Sequence, residues 1–415
     1  MKNFVFISPH FPDSYWKFCL ALRNKGFNVL GVGDGPFFEI SEECKNTLTE
    51  YYCCPFMDHF ENEVKAIEYF CNKYGKIDFI ESNNEYWLLK DAKLRTIFNV
   101  TSGVNDVDVV PFRSKIRQKE LFNAANIKCA KYTTDLTKEG LVKFASEVGY
   151  PLFTKPDDGV GAQGTMKINC EEDIEIFLSS IDKNRRYIVE QFIDGSIVSF
   201  DGIANSKSEV VFSTQNIFLI NNDEIVLNNL DDMYYCDPYL DPKFLELGKA
   251  VVKAVGLKKR FFHIEFFELK KDYPGIGNKG DRIPLEVNAR PAGGYTPDII
   301  NFANSCSCYD IYADVMMYDE NREQDYPEKF YCASCSRRNT SSYLYSKEEV
   351  IAKYHNNICM AGEFPKVLRD DMGDSYFVAK FKTQEEAALY VNYLIDKYKL
   401  DRPKNIVDKC PTTIL

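Results

Sequence analysis

The 415-residue chain has no uninterrupted apolar run near the roughly 18 residues that a membrane span requires, so no transmembrane helix is expected. Its first residues, MKNFVFISPHFPDSYW, hold one lysine and a short apolar run broken by prolines, and read as the start of a strand, not a secretory signal. Cations are not in excess. Against 51 Lys and Arg stand 62 Asp and Glu, a net charge of −11, so a broad nucleic-acid footprint is disfavoured and any polyanionic ligand must meet a local cation cluster. Internal repeats and low-complexity tracts are absent. There are only four histidines, and no Ser-His-Asp set or other covalent nucleophile stands out.

Two common phosphate-binding signatures are also missing. Gly31, Gly33 and Gly35 follow a second strand, and Pro36 and Phe37 come where a phosphate-cradling helix should begin, so these glycines read as a turn. No Gly-Lys-Ser/Thr closes the later glycine-rich loop, which therefore is not a Walker loop. Fourteen cysteines without a secretory signal point to free thiols and a cytoplasmic location. Cys306-x-Cys308 and Cys332-x-x-Cys335 are irregularly spaced with no histidine close in sequence, and read as small buried hydrophobes before zinc ligands.

The N-terminal third alternates strand and helix patterns. Residues 3–8 and 28–33 flank an amphipathic stretch over 12–25, and strands at 51–54 and 77–81 with a helix over 59–74 extend a parallel sheet. Glu81 and Glu85 fall just past a strand's carboxyl end, where open α/β sheets bind ligands; helix capping by Ser82 and Asn83 is the competing reading. From Pro111 a helix carries Lys115, Arg117 and Lys119. Farther on, a strand delivers Lys155 into a loop with Gly159, Gly161 and Gly164, whose bare backbone can approach a phosphate closely. Next, the strand Tyr187–Glu190 runs into Gln191-Phe192-Ile193, an extended backbone able to pair with an adenine edge.

The most informative stretch is Phe261 to Gly294. Period-two alternation places His263 and Glu265 on one face of a strand, with Phe262, Ile264 and Phe266 on the other. In the second run Glu286, Asn288 and Arg290 share a face opposite Leu285, Val287 and Ala289. A hairpin would bring two carboxylates, an amide oxygen and a guanidinium together, a hard-oxygen set suited to Mg²⁺ with nucleotide phosphates. A solvated hairpin face is the alternative. His263 either positions a ligand on that face or is structural.

In this order, Lys115, Lys155 with its glycine loop, Glu190-Gln191-Phe192-Ile193, His263-x-Glu265 and EVNARPAGG resemble the ATP-grasp superfamily, which includes biotin carboxylase, the carbamoyl phosphate synthetase large chain, D-alanine–D-alanine ligase and the bacterial L-amino-acid ligases. EVNARPAGG, with Glu286, Asn288 and Arg290, is the most specific piece. The resemblance covers nearly the whole chain and implies an α/β and α+β architecture. Its units would be a parallel α/β pre-ATP-grasp domain (1–110), a lid-containing subdomain (111–195), a core antiparallel sheet with the metal motif (196–325) and a small C-terminal α+β piece (326–415).

The resemblance also implies roles. Lys115 and Lys155 would contact the α- and β-phosphates of ATP, and loop residues 157–164, with Gly159, Gly161 and Gly164, would close over the γ-phosphate. Glu190 and the backbone of Gln191 and Ile193 would hold the adenine. Glu265, Glu286 and Asn288 would ligate Mg²⁺, or Mn²⁺ in its place, and Arg290, Lys155 and Asn288 would be catalytic. Ser196, Ile197 and Val198 depart from the acidic ribose position of many relatives, so either Asp194 or Asp201 would substitute or the ribose would be held differently. The implied activity is an ADP-forming carboxylate–amine ligase working through an acyl phosphate on small-molecule substrates, an amino acid among them, with homodimers common among relatives. Two alternatives are a bicarbonate-dependent carboxylating or carbamoylating enzyme and a catalytically silent ATP-binding protein. Gln215, Asn216, Tyr234 and Tyr235 are pocket candidates by position, and Arg337 or Arg338 would either reach a substrate carboxylate or form a surface ion pair.

Overall fold

A computed structural model describes residues 1–159, 164–221, 224–225, 228–323, 326 and 328–395. Four strands, β1 (Asn3–Ile7), β2 (Asn28–Gly33), β3 (Glu50–Cys53) and β4 (Phe79–Glu81), form a parallel sheet in the order β3-β2-β1-β4. Every residue of β1 and β2 is buried, as a parallel sheet covered on both faces requires. Phe4 and Phe6 pack with Phe18 of the helix Trp16–Asn24, whereas Val5 and Ile7 pack with Ala66, Ile67 and Phe70 of the helix Phe60–Tyr74.

A second sheet contains β5 (Tyr132–Thr133), β6 (Leu152–Pro156), β7 (Met166–Ile168) and β8 (Tyr187–Gln191), antiparallel in the order β5-β8-β6-β7. The helices Lys138–Val148 and Glu171–Ser180 cover it through Leu141, Phe144, Ile174 and Phe177.

The third sheet spans most of the remaining chain. Its strands are β9 (Gly195–Ala204), β10 (Val210–Phe218), β11 (Met233–Asp237), β12 (Arg260–Leu269), β13 (Arg282–Asn288), β14 (Tyr331–Arg337), β15 (Ile358–Glu363) and β16 (Ser375–Phe381). They run antiparallel in the order β13-β12-β9-β10-β11-β14-β16-β15. The strands after residue 326 thus complete the sheet that carries the 261–294 hairpin. Phe200, Phe262, Ile264 and Phe266 bury one face against the helix Pro242–Val255. Ile203, Phe261, Tyr234 and Val378 meet the helices Thr296–Asn304 and Cys308–Tyr318 on the other. Gly202 is required where β9 and β10 press together, since a Cβ there would stand 2.2 Å from the Phe212 carbonyl oxygen.

Among the described residues no helix is long and apolar enough to cross a membrane, and the cysteines are free thiols. Arg337 and Arg338 are not the surface residues that an exposed ion pair would need. Both are buried and donate to backbone carbonyls, Arg337 to Tyr345 and Leu394, Arg338 to Leu230, Arg369 and Asp370. They tie the C-terminal strands together, because a buried guanidinium needs several acceptors.

Candidate active site

Strands β12 and β13 pair antiparallel with Glu265 opposite Glu286 and His263 opposite Asn288. Cross-strand partners project to the same face, so these four side chains form one polar patch. Phe262, Ile264 and Phe266 occupy the other face, fully buried, as alternation predicts. Asp201 on β9 lies opposite His263 and Asn216 on β10 opposite Ser199, which extends the patch across two more strands. Phe218 and Tyr234 follow on the same face. Of the four pocket candidates, Asn216 and Tyr234 are therefore on this face, and Gln215 and Tyr235 are on the reverse.

The patch is internally wired. His263 Nδ1 stands 2.8 Å from Asp201 Oδ1 and its Nε2 is 3.4 Å from Glu265 Oε1. Asn216 donates to Asp201 Oδ2 at 2.8 Å, and the Ser199 hydroxyl bonds the same oxygen. Burial works against the His263 charge, but Asp201 and Glu265 outweigh it and raise its pKa to about 9. Burial likewise opposes the Glu265 charge, and His263, Arg290 and Lys155 together hold its pKa below the ordinary carboxylate range. Asp201 is thus bonded by His263, Asn216 and Ser199 at once.

The helix Lys115–Ala124 presents cations to the patch. Lys115 Nζ lies 2.9 Å from Glu286 Oε1 and donates to the Gly159 carbonyl at 2.7 Å. The helix is held in place at two points. Gln118 exchanges two hydrogen bonds of 2.9 Å with the backbone of Val287, between Glu286 and Asn288. At its start Asp157, at the root of the glycine loop, accepts from the Ser114 hydroxyl and the Ile116 N–H. Of the loop glycines, Gly159 and Gly164 are described, whereas Gly161 lies outside the described residues.

Lys155 on β6 reaches Glu190 on β8, with 3.0 Å between Nζ and Oε2. Lys119, one turn beyond Lys115, reaches the other carboxylate oxygen at 2.7 Å. Burial alone would push the Glu190 pKa up, but the two lysines reverse this and bring it to about 2. Lys155 also feels Glu286 and Glu265, and the three carboxylates raise its pKa despite burial. Lys115 and Lys155 thus both face the acidic pair within one cleft. Gln191 gives its N–H to the Lys131 carbonyl at 2.8 Å.

The parallel sheet closes the cleft's far side. Glu81 is not part of the cleft, being buried between Arg260 at 3.2 Å and Arg95 at 3.5 Å. Glu85 does face it, receiving Arg290 Nε at 3.0 Å and Arg113 Nη1 at 3.4 Å. The sequence points to neither Gln118 nor Arg113, marks Lys119 only as one of three cations on its helix, and offers Asp201 only as a stand-in ribose acid. Lys119 left a signal, being four residues from Lys115 on one helix face; Asp201 leaves none of its contact with His263 until strand pairing is known.

A family profile described as an ATP-grasp domain matches residues 114–294, from the cap of the lysine helix to the turn after Arg290. Residues 114–294 thus match an ATP-grasp domain, and the fold of the chain is the ATP-grasp fold. It is 22% identical over 253 residues to the carbamoyl phosphate synthase large chain of Clostridium botulinum, covering 59% of this chain and 22% of that one, so it spans about a fifth of that relative's length. Among solved structures, an L-amino acid ligase from Bacillus licheniformis superposes with a TM-score of 0.69 at 15% identity, over 95% of this chain and 97% of that one. The biotin carboxylase domain of the Hydrogenobacter thermophilus 2-oxoglutarate carboxylase, solved with MgADP and bicarbonate, gives 0.68 at 13% identity over 95% and 89%. At such identities the structural likeness concerns the fold.

Proposed function

We propose that this chain is an ATP-dependent carboxylate–amine ligase. The reading rests above all on the cross-strand pair Glu265–Glu286 facing Lys115 and Lys155 in one cleft, with Arg290 at its rim. Lys115 and Lys155 would hold the α- and β-phosphates of ATP, and residues 157–164 would cover the γ-phosphate. Glu190, the Gln191 carbonyl and the Ile193 N–H would hold the adenine, with Lys119 keeping Glu190 ionised and in place.

Glu265, Glu286 and Asn288 fit a divalent cation. They are oxygen donors on adjacent strands, and the two carboxylates are balanced by His263 and Lys115. Mg²⁺ takes one or two protein carboxylates and completes its shell with phosphates and water. Bound there, Mg²⁺ or Mn²⁺ would neutralise phosphate charge. A substrate carboxylate oxygen would attack the γ-phosphorus, forming an acyl phosphate as the bond to ADP breaks. An amine would then attack the acyl carbon and expel phosphate. Arg290, exchanging Glu85 for the substrate, would neutralise the transferring group and the tetrahedral intermediate. The units 1–110, 111–195, 196–325 and 326–415 are the domain division proposed with this reading.

The test is ADP release from Mg-ATP with pooled amino acids, followed by mass spectrometry of the products. ADP release that requires an amine and yields an amide supports ligation. Dependence on bicarbonate instead would favour carboxylation, a reading prompted by the carboxylase fold likeness. No ADP release with any pool would leave a nucleotide-binding protein without turnover.

A further inference from the structure

At the opposite end of the parallel sheet from the cleft lies a second cavity, of about 360 Å³. It opens between the N-terminal sheet and the large antiparallel sheet. Lys2 and Lys76 to Phe79 line one wall, Ser206, Lys258 and Lys259 the other, and Thr101 and Ser102 add hydroxyls. Lys2 and Asp78 precede β1 and β4, so the cavity sits at the amino ends of strands whose carboxyl ends face the cleft.

Its charge is contrary to that of the molecule. In a chain with eleven more acids than bases, four lysines line it; among the described residues Lys2, Lys76 and Lys258 form no ion pair with a carboxylate, whereas the Lys259 ammonium donates to the Val315 and Met316 carbonyls, both at 3.3 Å. Neither nearby acid faces the opening unengaged. Asp78 accepts from the Asn3 N–H at 2.9 Å, and Asp319 accepts from the Ser206 N–H at 2.8 Å while standing 3.6 Å from Lys259. The Lys2 and Lys259 ammonium groups also lie 5.8 and 5.7 Å from the Phe79 centroid. Burial, opposed by Asp319, lowers the Lys259 pKa, and the neighbouring Lys2 charge adds to that effect.

We infer that this cavity binds a compact polyanion carrying two or more phosphate charges, such as a diphosphate or a small bisphosphate. Ammonium groups act as point charges and suit tetrahedral oxyanions, whereas planar carboxylates are better met by guanidinium forks. The Phe79 ring is already engaged by the lysines, which leaves no face for a nucleobase. A ligand here would tie the N-terminal sheet to the antiparallel sheet and hold the two walls of the distant cleft in register.

Pyrophosphate titrated by calorimetry into Lys155→Ala protein, in which the proposed nucleotide site is weakened, tests the inference. One site with a sub-millimolar constant is expected, and adding Lys2→Glu with Lys258→Glu, both exposed, should weaken it by about tenfold or more. Lys243→Glu on the exposed start of the helix Pro242–Val255 is the control for general charge. The inference is overturned by no binding up to about 10 mM, by binding indifferent to the double reversal, or by an equal loss in the control.

Discussion

Lys115 and Glu286 form a 2.9 Å ion pair between the helix that opens the ATP-grasp domain and the strand that nearly ends it. The same lysine holds the Gly159 carbonyl, so one ammonium group joins helix, glycine loop and acidic pair. Replacing Glu286 by Gln keeps the shape and removes the charge. ADP release should fall by about 10²- to 10³-fold, as when one preorganised electrostatic partner of a transition state is lost. Lys155→Ala should do the same. Circular dichroism melts should show both variants folded, and wild-type turnover in both would refute the site assignment.

Chelation provides an independent check. Activity should vanish in excess EDTA and return with Mg²⁺ or Mn²⁺, and Glu265→Gln with Glu286→Gln should abolish that recovery. Initial-rate assays over a metal titration measure it.

Glu190 gives a pH signature. Its pKa is depressed from the ordinary 4.5 to about 2, so its contribution to stability is complete above 4.5 and is lost as pH falls toward 2. Urea unfolding midpoints should show that acid-side loss in the wild type and less of it in Glu190→Gln. Lys119→Met leaves Glu190 with Lys155 alone. Nucleotide affinity, measured by calorimetry with a non-hydrolysable ATP analogue, should drop by about tenfold.

Much of this site was legible because a strand has a period of two. Once residues 261–266 and 285–290 are taken as strands, the greasy faces and the acidic faces follow, and the structure pairs Glu265 with Glu286 in register. What the period cannot supply is which strand comes next. Asp201 is sixty-two residues from His263 and becomes its partner only through the β9–β12 pairing. The Glu85–Arg290 contact joins separate sheets and is equally invisible locally. Arg337 and Arg338 were misread for the related reason that charge suggests exposure, while several backbone acceptors can satisfy a buried guanidinium.

Gln118 offers a structural prediction. Its amide makes three bonds, two to Val287 and one to the Pro111 carbonyl. Gln118→Ala should cost about 2–3 kcal/mol in chemical denaturation, since it leaves buried backbone groups unpaired. It should also lower kcat by loosening Lys115 from Glu286.

The antiparallel sheet bears on how the molecule can be divided. The segment that matches the ATP-grasp domain stops at residue 294, yet β11 within it is hydrogen-bonded to β14, which lies after it. Cutting the chain at the end of that segment would strip β11 of a neighbour and leave a bare row of amides and carbonyls beside an apolar surface. Such a fragment would seek a replacement strand from another copy of itself and self-associate. The matched segment is therefore not an autonomous module here: the polypeptide that follows it closes its sheet.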